Sequence, residues 1–365
     1  MKIIKVDLGQ RSYKIVIGSG VIKNLGRYIK LLNIGKDAFI ITNTLIKNRY
    51  GLNLVKTLDK YEISSKFCII ADSEKSKSLG SCLKVIQELA RFDKKRRVFI
   101  IALGGGVVGD LSGFIASIYK RGVPYIQIPT TLLACVDSSI GGKTGVDLKI
   151  GKNLVGSFYQ PRLVVAELSF LKSLNKRQIK AGLAEIIKYA IIKDKKMFEF
   201  LEKEYSQILR LENGLLEYIV YCCAQIKARI IQRDEREERG LRTILNFGHT
   251  LGHAIESAGG YRKYNHGEAI AVGMVIASQI SRRLKLINQA TFYRIENLLK
   301  AVGLPIFISG IPPKKILTLY HHDKKFIGNV NRFVLIKDIG RATIKQNLPL
   351  GVIRDSLAER LSPQR

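Results

Sequence analysis

Seven short runs rich in β-branched and aromatic residues constrain this chain more than any other feature. They are Ile3–Leu8, Tyr13–Ile17, Ala38–Ile41, Phe67–Ala71, Val98–Leu103, Tyr125–Ile128 and Leu163–Ala166. Between several of them lie amphipathic stretches, such as Thr44–Leu58 and Ser78–Phe92, that read as helices. Short Val/Ile runs are what strands buried on both faces require. Their alternation with helices predicts a mainly parallel sheet covered on both sides. The pattern changes near Phe170–Asn175. From there the helical period prevails, over Gln178–Ile192, Met197–Glu204, Leu215–Arg233, Thr243–Ala258, Gly267–Leu286 and Gln289–Val302. The pair Arg332–Ile336 and Ala342–Lys345 reads as a late hairpin before a closing helix. The expected organisation is an α/β domain over 1–172 and a mostly α-helical domain over 173–365.

Composition removes several classes of function. A chain of 365 residues that is 46% hydrophobic and 25% charged is globular rather than disordered. The N-terminal residues lack the uninterrupted apolar stretch of a signal peptide, and no run of ~18 apolar residues is present to span a membrane. Cys68, Cys82, Cys135, Cys222 and Cys223 show neither disulfide nor zinc spacing, so a reducing, cytoplasmic setting is expected. The formal net charge of +31 invites a nucleic-acid reading. Its distribution argues otherwise: residues 1–172 carry 28 basic and 12 acidic groups, and the remainder carry 33 and 18. A surplus spread so evenly, with no basic tail, is a surface bias. Part of it is free to serve an anionic small molecule.

Three local features carry chemistry. Val98–Leu103 runs straight into Gly104-Gly-Gly-Val-Val-Gly109-Asp110 and then a helical stretch. Gly104, Gly106 and Gly109 satisfy G-x-G-x-x-G in strand-to-helix context, where backbone N–H groups and the helix dipole favour a pyrophosphate. An ordinary glycine-rich turn is the alternative. The run follows a late strand, and no acidic residue lies ~20 positions on to hold a ribose; Asp72 and Glu74 could do so instead. The segment Ile140–Gly145 resembles a P-loop only superficially, because Asp137 stands where the first Gly is required. Three of the five histidines, His249, His253 and His266, fall within eighteen residues. His249 and His253 share a helix face and, with a further ligand, could hold a divalent metal; helix-cap or core histidines are the alternative. Glu185, in the apolar stretch Ala181–Lys188, is a carboxylate that burial would penalise unless it is paired or metal-bound.

Together these pieces resemble the 3-dehydroquinate synthase family, part of the sugar phosphate cyclases. The resemblance runs from Asp72–Lys77 through Gly104–Asp110, Arg121–Gln160, Ala181–Lys188, Gly240–Glu256 and His266–Met274 to Asp323-Lys-Lys325, with Arg121–Gly145 its most specific stretch. It implies a Rossmann-like α/β N-terminal domain and a mainly α-helical C-terminal domain. It further implies conversion of 3-deoxy-arabino-heptulosonate 7-phosphate to 3-dehydroquinate and phosphate. That reaction proceeds by transient oxidation by NAD, phosphate elimination, re-reduction and aldol closure, with one divalent metal, zinc or cobalt.

By the same resemblance Glu185, His249 and His266 are the metal ligands, and His253 is a proton relay near the phosphate. Lys143, Lys152, Asn153, Lys188, Lys227, Arg242 and Asn246 receive the anionic substrate together with Asp137 and one of Lys324 and Lys325. Arg121 reaches a neighbouring subunit's site, implying a homodimer. NAD is assigned to Asp72, Glu74, Lys77, Gly105, Gly106, Val107, Gly109, Asp110, Thr130, Thr131, Lys143, Lys152, Phe170 and Ser173. Asn43 stands where some members have Asp near the adenosine ribose, and 234–240 is one residue longer than the family pattern between Lys227 and Arg242. Competing readings are a valiolone- or scyllo-inosose-type cyclase and a metal-dependent polyol dehydrogenase. The cyclases act on substrates without the carboxylate that Arg242 and Asn246 would meet, and the dehydrogenase would produce net NADH.

Overall fold

Ile40, Ile101 and Ile126 fall in one hydrophobic cluster, and their chain neighbours Phe39, Ile41, Ile100, Ala102 and Tyr125 in another. That period of two is the signature of a sheet buried on both faces. The computed structural model describes residues 1–93, 97–148, 150–321 and 331–362. Its strands are β1 (Lys2–Val6), β2 (Tyr13–Gly18), β3 (Asp37–Thr42), β4 (Ser64–Ile69), β5 (Val98–Gly104), β6 (Tyr125–Pro129), β7 (Lys143–Leu148), β8 (Gly151–Phe158), β9 (Leu163–Glu167), β10 (Arg332–Asp338) and β11 (Arg341–Gln346). Seven of them form one sheet in the order β1-β2-β9-β6-β5-β3-β4, parallel throughout except for the antiparallel edge strand β1.

Two compact units result. The first holds Met1–Leu174 with Asn213–Arg236, and the second Asn175–Glu212 with Glu237–Arg365. Compared with a division at residues 172 and 173, the difference is the helix Asn213–Arg233, which belongs with the first unit. Its long-range partners explain this: Glu217 meets the Met1 amine at 3.0 Å, and Lys227 reaches Asp137.

The first unit also contains an antiparallel hairpin, β7–β8, that the sequence pattern did not announce. Gly113 explains how it seats. A Cβ there would fall 2.3 Å from the Thr144 Cγ2, so only glycine lets the helix Gly106–Ile118 lie this close to β7.

In the second unit, helices Lys176–Lys193 and His266–Arg283 each begin with a capping box, Asn175 with Gln178 and Asn265 with Glu268. The stretch expected to be helical over Thr243–Ala258 is interrupted. A 3₁₀ turn, Leu241–Asn246, gives way at Gly248, whose φ of +77° restarts the chain as the helix His249–Ala258. The hairpin β10–β11 follows the expected position.

Candidate active site

The metal-ligand candidates all lie in the second unit, and helix packing brings them together. A Cβ on Gly267 would sit 2.3 Å from the Ala181 Cα, and one on Gly273 would sit 1.9 Å from the Gly248 oxygen. The His266 helix therefore touches the helix of Glu185 beside one ligand and the start of the His249 helix beside another. Ligand atoms of Glu185, His249 and His266 lie within 4.8 Å of one another. His249 and His266 both aim Nε2 at the Glu185 Oε1, at 3.5 and 3.4 Å. The other ring nitrogens are occupied as well. The Nδ1 of His249 lies 3.0 Å from the Phe247 carbonyl, and that of His266 lies 3.4 Å from the Glu256 Oε2. Donating from Nδ1 leaves each Nε2 lone pair directed at the common point.

This donor set fits a divalent ion: one carboxylate and two imidazoles, with positions left over for substrate oxygen. Glu185 is fully buried and its Oε2 pairs with the nearly buried Lys188 one turn along the helix. A carboxylate in such surroundings requires compensating charge. Without a metal, burial pushes the His266 imidazole down, but the Glu185 and Glu256 carboxylates outweigh it and raise it to about 9. A bound cation would take the place of the Nε2 proton and leave the ring a neutral ligand. His253 stands apart from the three ligands. It is exposed and four residues beyond His249, with its ring centroid 5.2 Å from that of His249. Arg242 is buried and Asn246 half-buried on the turn preceding His249. Lys324 and Lys325 lie outside the described residues.

The first unit gathers a second set. Gly105 is the N-cap of the helix Gly106–Ile118, so this helix opens its N–H groups at the end of β5. Gly104 and Gly109 also have packing reasons to be glycine: a Cβ would lie 2.5 Å from the Val108 Cγ2 and 2.7 Å from the Gln127 Oε1, respectively. Lys77, nearly buried, donates to the Asp110 Oδ2 and the Asn153 Oδ1, both at 2.5 Å. Burial pushes the Asp110 carboxyl up, and Lys77 opposes that shift. Asn153 adopts a left-handed φ of 54°, and its N–H donates to the Asp147 Oδ1 at 2.8 Å. Lys152 meets Glu74 at 3.0 Å. The start of β8 is thereby held against the Glu74–Lys77 segment.

Around this set, Thr130 donates its N–H to the Gly104 carbonyl, while the Thr131 hydroxyl accepts from the Ala134 N–H. Gly106 faces Ser138, and Val107 follows it in the first turn of the helix. Phe170 stacks on Tyr50 with centroids 3.9 Å apart, and the Ser173 hydroxyl donates to the Phe170 carbonyl. Lys227 donates to both the side chain and the carbonyl of Asp137 at 2.7 Å. The longer 234–240 segment leaves that pairing in place. Asn43 caps a helix turn by accepting from the Ile46 N–H, which gives its amide a local structural use. Asp72, Lys143 and Arg121 are exposed, and Arg121 has a φ of 64°. Two residues escaped the sequence reading. Asp147 carried no signal, whereas Glu256 lies seven residues past His249 on the same helix face.

Comparison with known proteins agrees with this geometry. The model of the 3-dehydroquinate synthase N-terminal domain matches residues 67–181, and that of the C-terminal domain matches residues 182–326. A 3-dehydroquinate synthase of Desulforamulus reducens is 44% identical over 345 residues, covering 94% of this chain and 96% of the relative. Among solved structures, a 2-epi-5-epi-valiolone synthase from Streptomyces hygroscopicus with NAD+ and Zn2+ bound superposes with a TM-score of 0.88. It is 26% identical and covers 97% of this chain and 99% of its own. A 2-deoxy-scyllo-inosose synthase complexed with carbaglucose-6-phosphate, NAD+ and Co2+ gives 0.87 at 26% identity, covering 99% and 100%.

Proposed function

The chain belongs to the 3-dehydroquinate synthase family, and from that premise we propose that it converts 3-deoxy-arabino-heptulosonate 7-phosphate to 3-dehydroquinate and phosphate. The observation that carries this reading is the convergence of Glu185, His249 and His266 from three separate segments in a chain matched along most of its length. When bound, a divalent metal at these residues supplies Lewis acidity toward a substrate hydroxyl, and NAD supplies a reversible hydride acceptor.

The chain's own residues do the rest. Glu185, held against Lys188, supplies the anionic ligand, and His249 and His266 supply neutral ones. The helix opening at Gly105 and Gly106 offers N–H donors to the NAD pyrophosphate, with Val107, Gly109, Thr130 and Thr131 shaping that turn. Glu74 and Asp72 hold the ribose hydroxyls, and the Lys77–Asp110–Asn153 network fixes the hairpin that carries Lys143 and Lys152. Phe170 and Ser173 border the nucleotide. A substrate bearing phosphate and carboxylate calls for several cations and donors. Lys143, Lys152, Asn153, Lys188, Lys227, Arg242 and Asn246 supply them, with one of Lys324 and Lys325, while Asp137 accepts from a substrate hydroxyl. His253, exposed beside the ligands yet outside their set, moves the proton that phosphate departure requires. Arg121 serves a neighbouring subunit's site, making the enzyme a homodimer.

No helix among the described residues is long and apolar enough to cross a membrane. We place the enzyme in the cytoplasm, because its cysteines are not spaced in the sequence as a disulfide framework. The test is phosphate release from the heptulosonate phosphate. Release that stops with chelator, returns with zinc or cobalt, and requires NAD supports the assignment. Release indifferent to both would refute it.

A further inference from the structure

The helix His249–Ala258 carries ionisable residues at His249, His253 and Glu256, spaced i, i+4 and i+7 on one face. The first two are accounted for above. Glu256 is 8% exposed, and its Oε2 lies 3.4 Å from the Nδ1 of His266. A carboxylate is seldom placed in such a position unless a partner repays its desolvation. His266 sits at the first turn of its own helix, where the Asn265–Glu268 capping box fixes the backbone. The backbone does not fix which way the imidazole turns or which nitrogen carries the proton.

We propose that Glu256 is the positioning residue of the metal site: by accepting the Nδ1–H of His266 it fixes the tautomer and ring orientation that turn the Nε2 lone pair to the point shared with Glu185 and His249. The two imidazole ligands are then supported unequally. His249 leans on a backbone carbonyl, at 3.0 Å from Phe247, which no side-chain substitution can remove. His266 leans on a side chain that can be replaced. A carboxylate behind a ligating imidazole also raises its basicity, and loss of such partners typically weakens metal affinity about 10–100-fold. One helix thus supplies a ligand at its first residue and, two turns on, the support of another ligand.

This inference rests on the metal reading above, and its test keeps the two apart. Zn2+ dissociation constants are measured by chelator competition on metal-stripped full-length protein, and the visible absorption spectrum is recorded after Co2+ loading, for wild type, Glu256→Gln and Glu256→Leu. Melting of the metal-free proteins is followed in parallel. Stoichiometric metal binding by wild type upholds the site itself, and its absence would remove that reading. Given wild-type binding, Glu256→Leu should raise the Zn2+ dissociation constant about 10–100-fold and alter the Co2+ bands. Glu256→Gln, whose amide oxygen still accepts from Nδ1 but carries no charge, should show a smaller yet measurable rise, below about tenfold. Should Glu256→Leu not fold, a shift in Glu256→Gln still decides the matter. Lower melting temperatures with unchanged affinity and Co2+ spectra would overturn the proposal, leaving Glu256 a purely structural residue.

Discussion

Glu185 and Lys188 form an ion pair with side chains 0% and 2% exposed, which makes it a sensitive place to separate function from stability. In metal-free protein, Glu185→Leu leaves the Lys188 ammonium buried without its carboxylate, and Lys188→Met leaves the carboxylate without its ammonium. Breaking a buried pair from one side costs about 3–5 kcal/mol, whereas replacing both members by apolar groups of similar size is close to neutral. For a folding unit of 150–250 residues, ~1 kcal/mol moves the melting temperature by about 2–4 °C. Each single substitution should therefore lower the melting temperature of the second unit by roughly 6–20 °C. The double variant Glu185→Leu/Lys188→Met should melt within a few degrees of wild type while binding no metal. Calorimetry in chelator, with metal content determined separately, makes the measurement. Single variants shifted by less than about 2 °C, or a double variant as unstable as the sum of the singles, would refute the reasoning that this buried pair is costly to break from one side and close to neutral to replace outright.

Further predictions follow from other parts of the site. Glu185→Ala and His266→Ala should abolish metal binding, while His253→Ala should keep full metal content and lose turnover; equal metal loss in all three would make His253 a ligand. Gly273→Ala would place a Cβ 1.9 Å from the Gly248 oxygen beside His249, so it should destabilise by about 1–3 kcal/mol and weaken metal binding, readable by denaturant unfolding and chelator competition. Burial pushes the Glu268 carboxyl up, but Arg177 and the Asn265 N–H outweigh it and hold it below its ordinary 4.5. Its contribution is therefore present above that value and lost as pH falls through the lowered one. Arg177 is 54% exposed, so Arg177→Met should cost only ~0.5–1 kcal/mol at neutral pH, vanishing in acid; a difference that persists at low pH would exclude the ion pair as its source.

The central strands β3, β5, β6 and β9 were legible because each is a short run buried on both faces. The hairpin β7–β8 was not. Its exposure does not alternate cleanly, and Gly145, Gly151 and Gly156 interrupt the pattern that period-two reasoning needs. The break before His249 turns on the positive φ of Gly248, which helical periodicity cannot register. Spacing could pair His249 with His253, but the ligand set takes Glu185 and His266 instead. That choice is made by helix contacts at Gly267 and Gly273, which are tertiary rather than local. Placement of the helix Asn213–Arg233 with the first unit likewise depends on distant partners, Met1 and Asp137. The net charge of +31 divides in a similar way: a few lysines and arginines belong to the proposed anion-binding set, and the remainder is spread evenly along the chain.

The central claim is that NAD is borrowed and returned within one reaction. Its most direct test follows phosphate release and NADH absorbance together, with metal-loaded enzyme, heptulosonate phosphate in excess and NAD limiting. The account predicts many phosphates released per NAD supplied and no accumulation of NADH beyond the enzyme concentration. NADH formed in step with substrate consumed, or turnover that halts once the NAD supplied has been used, would contradict it.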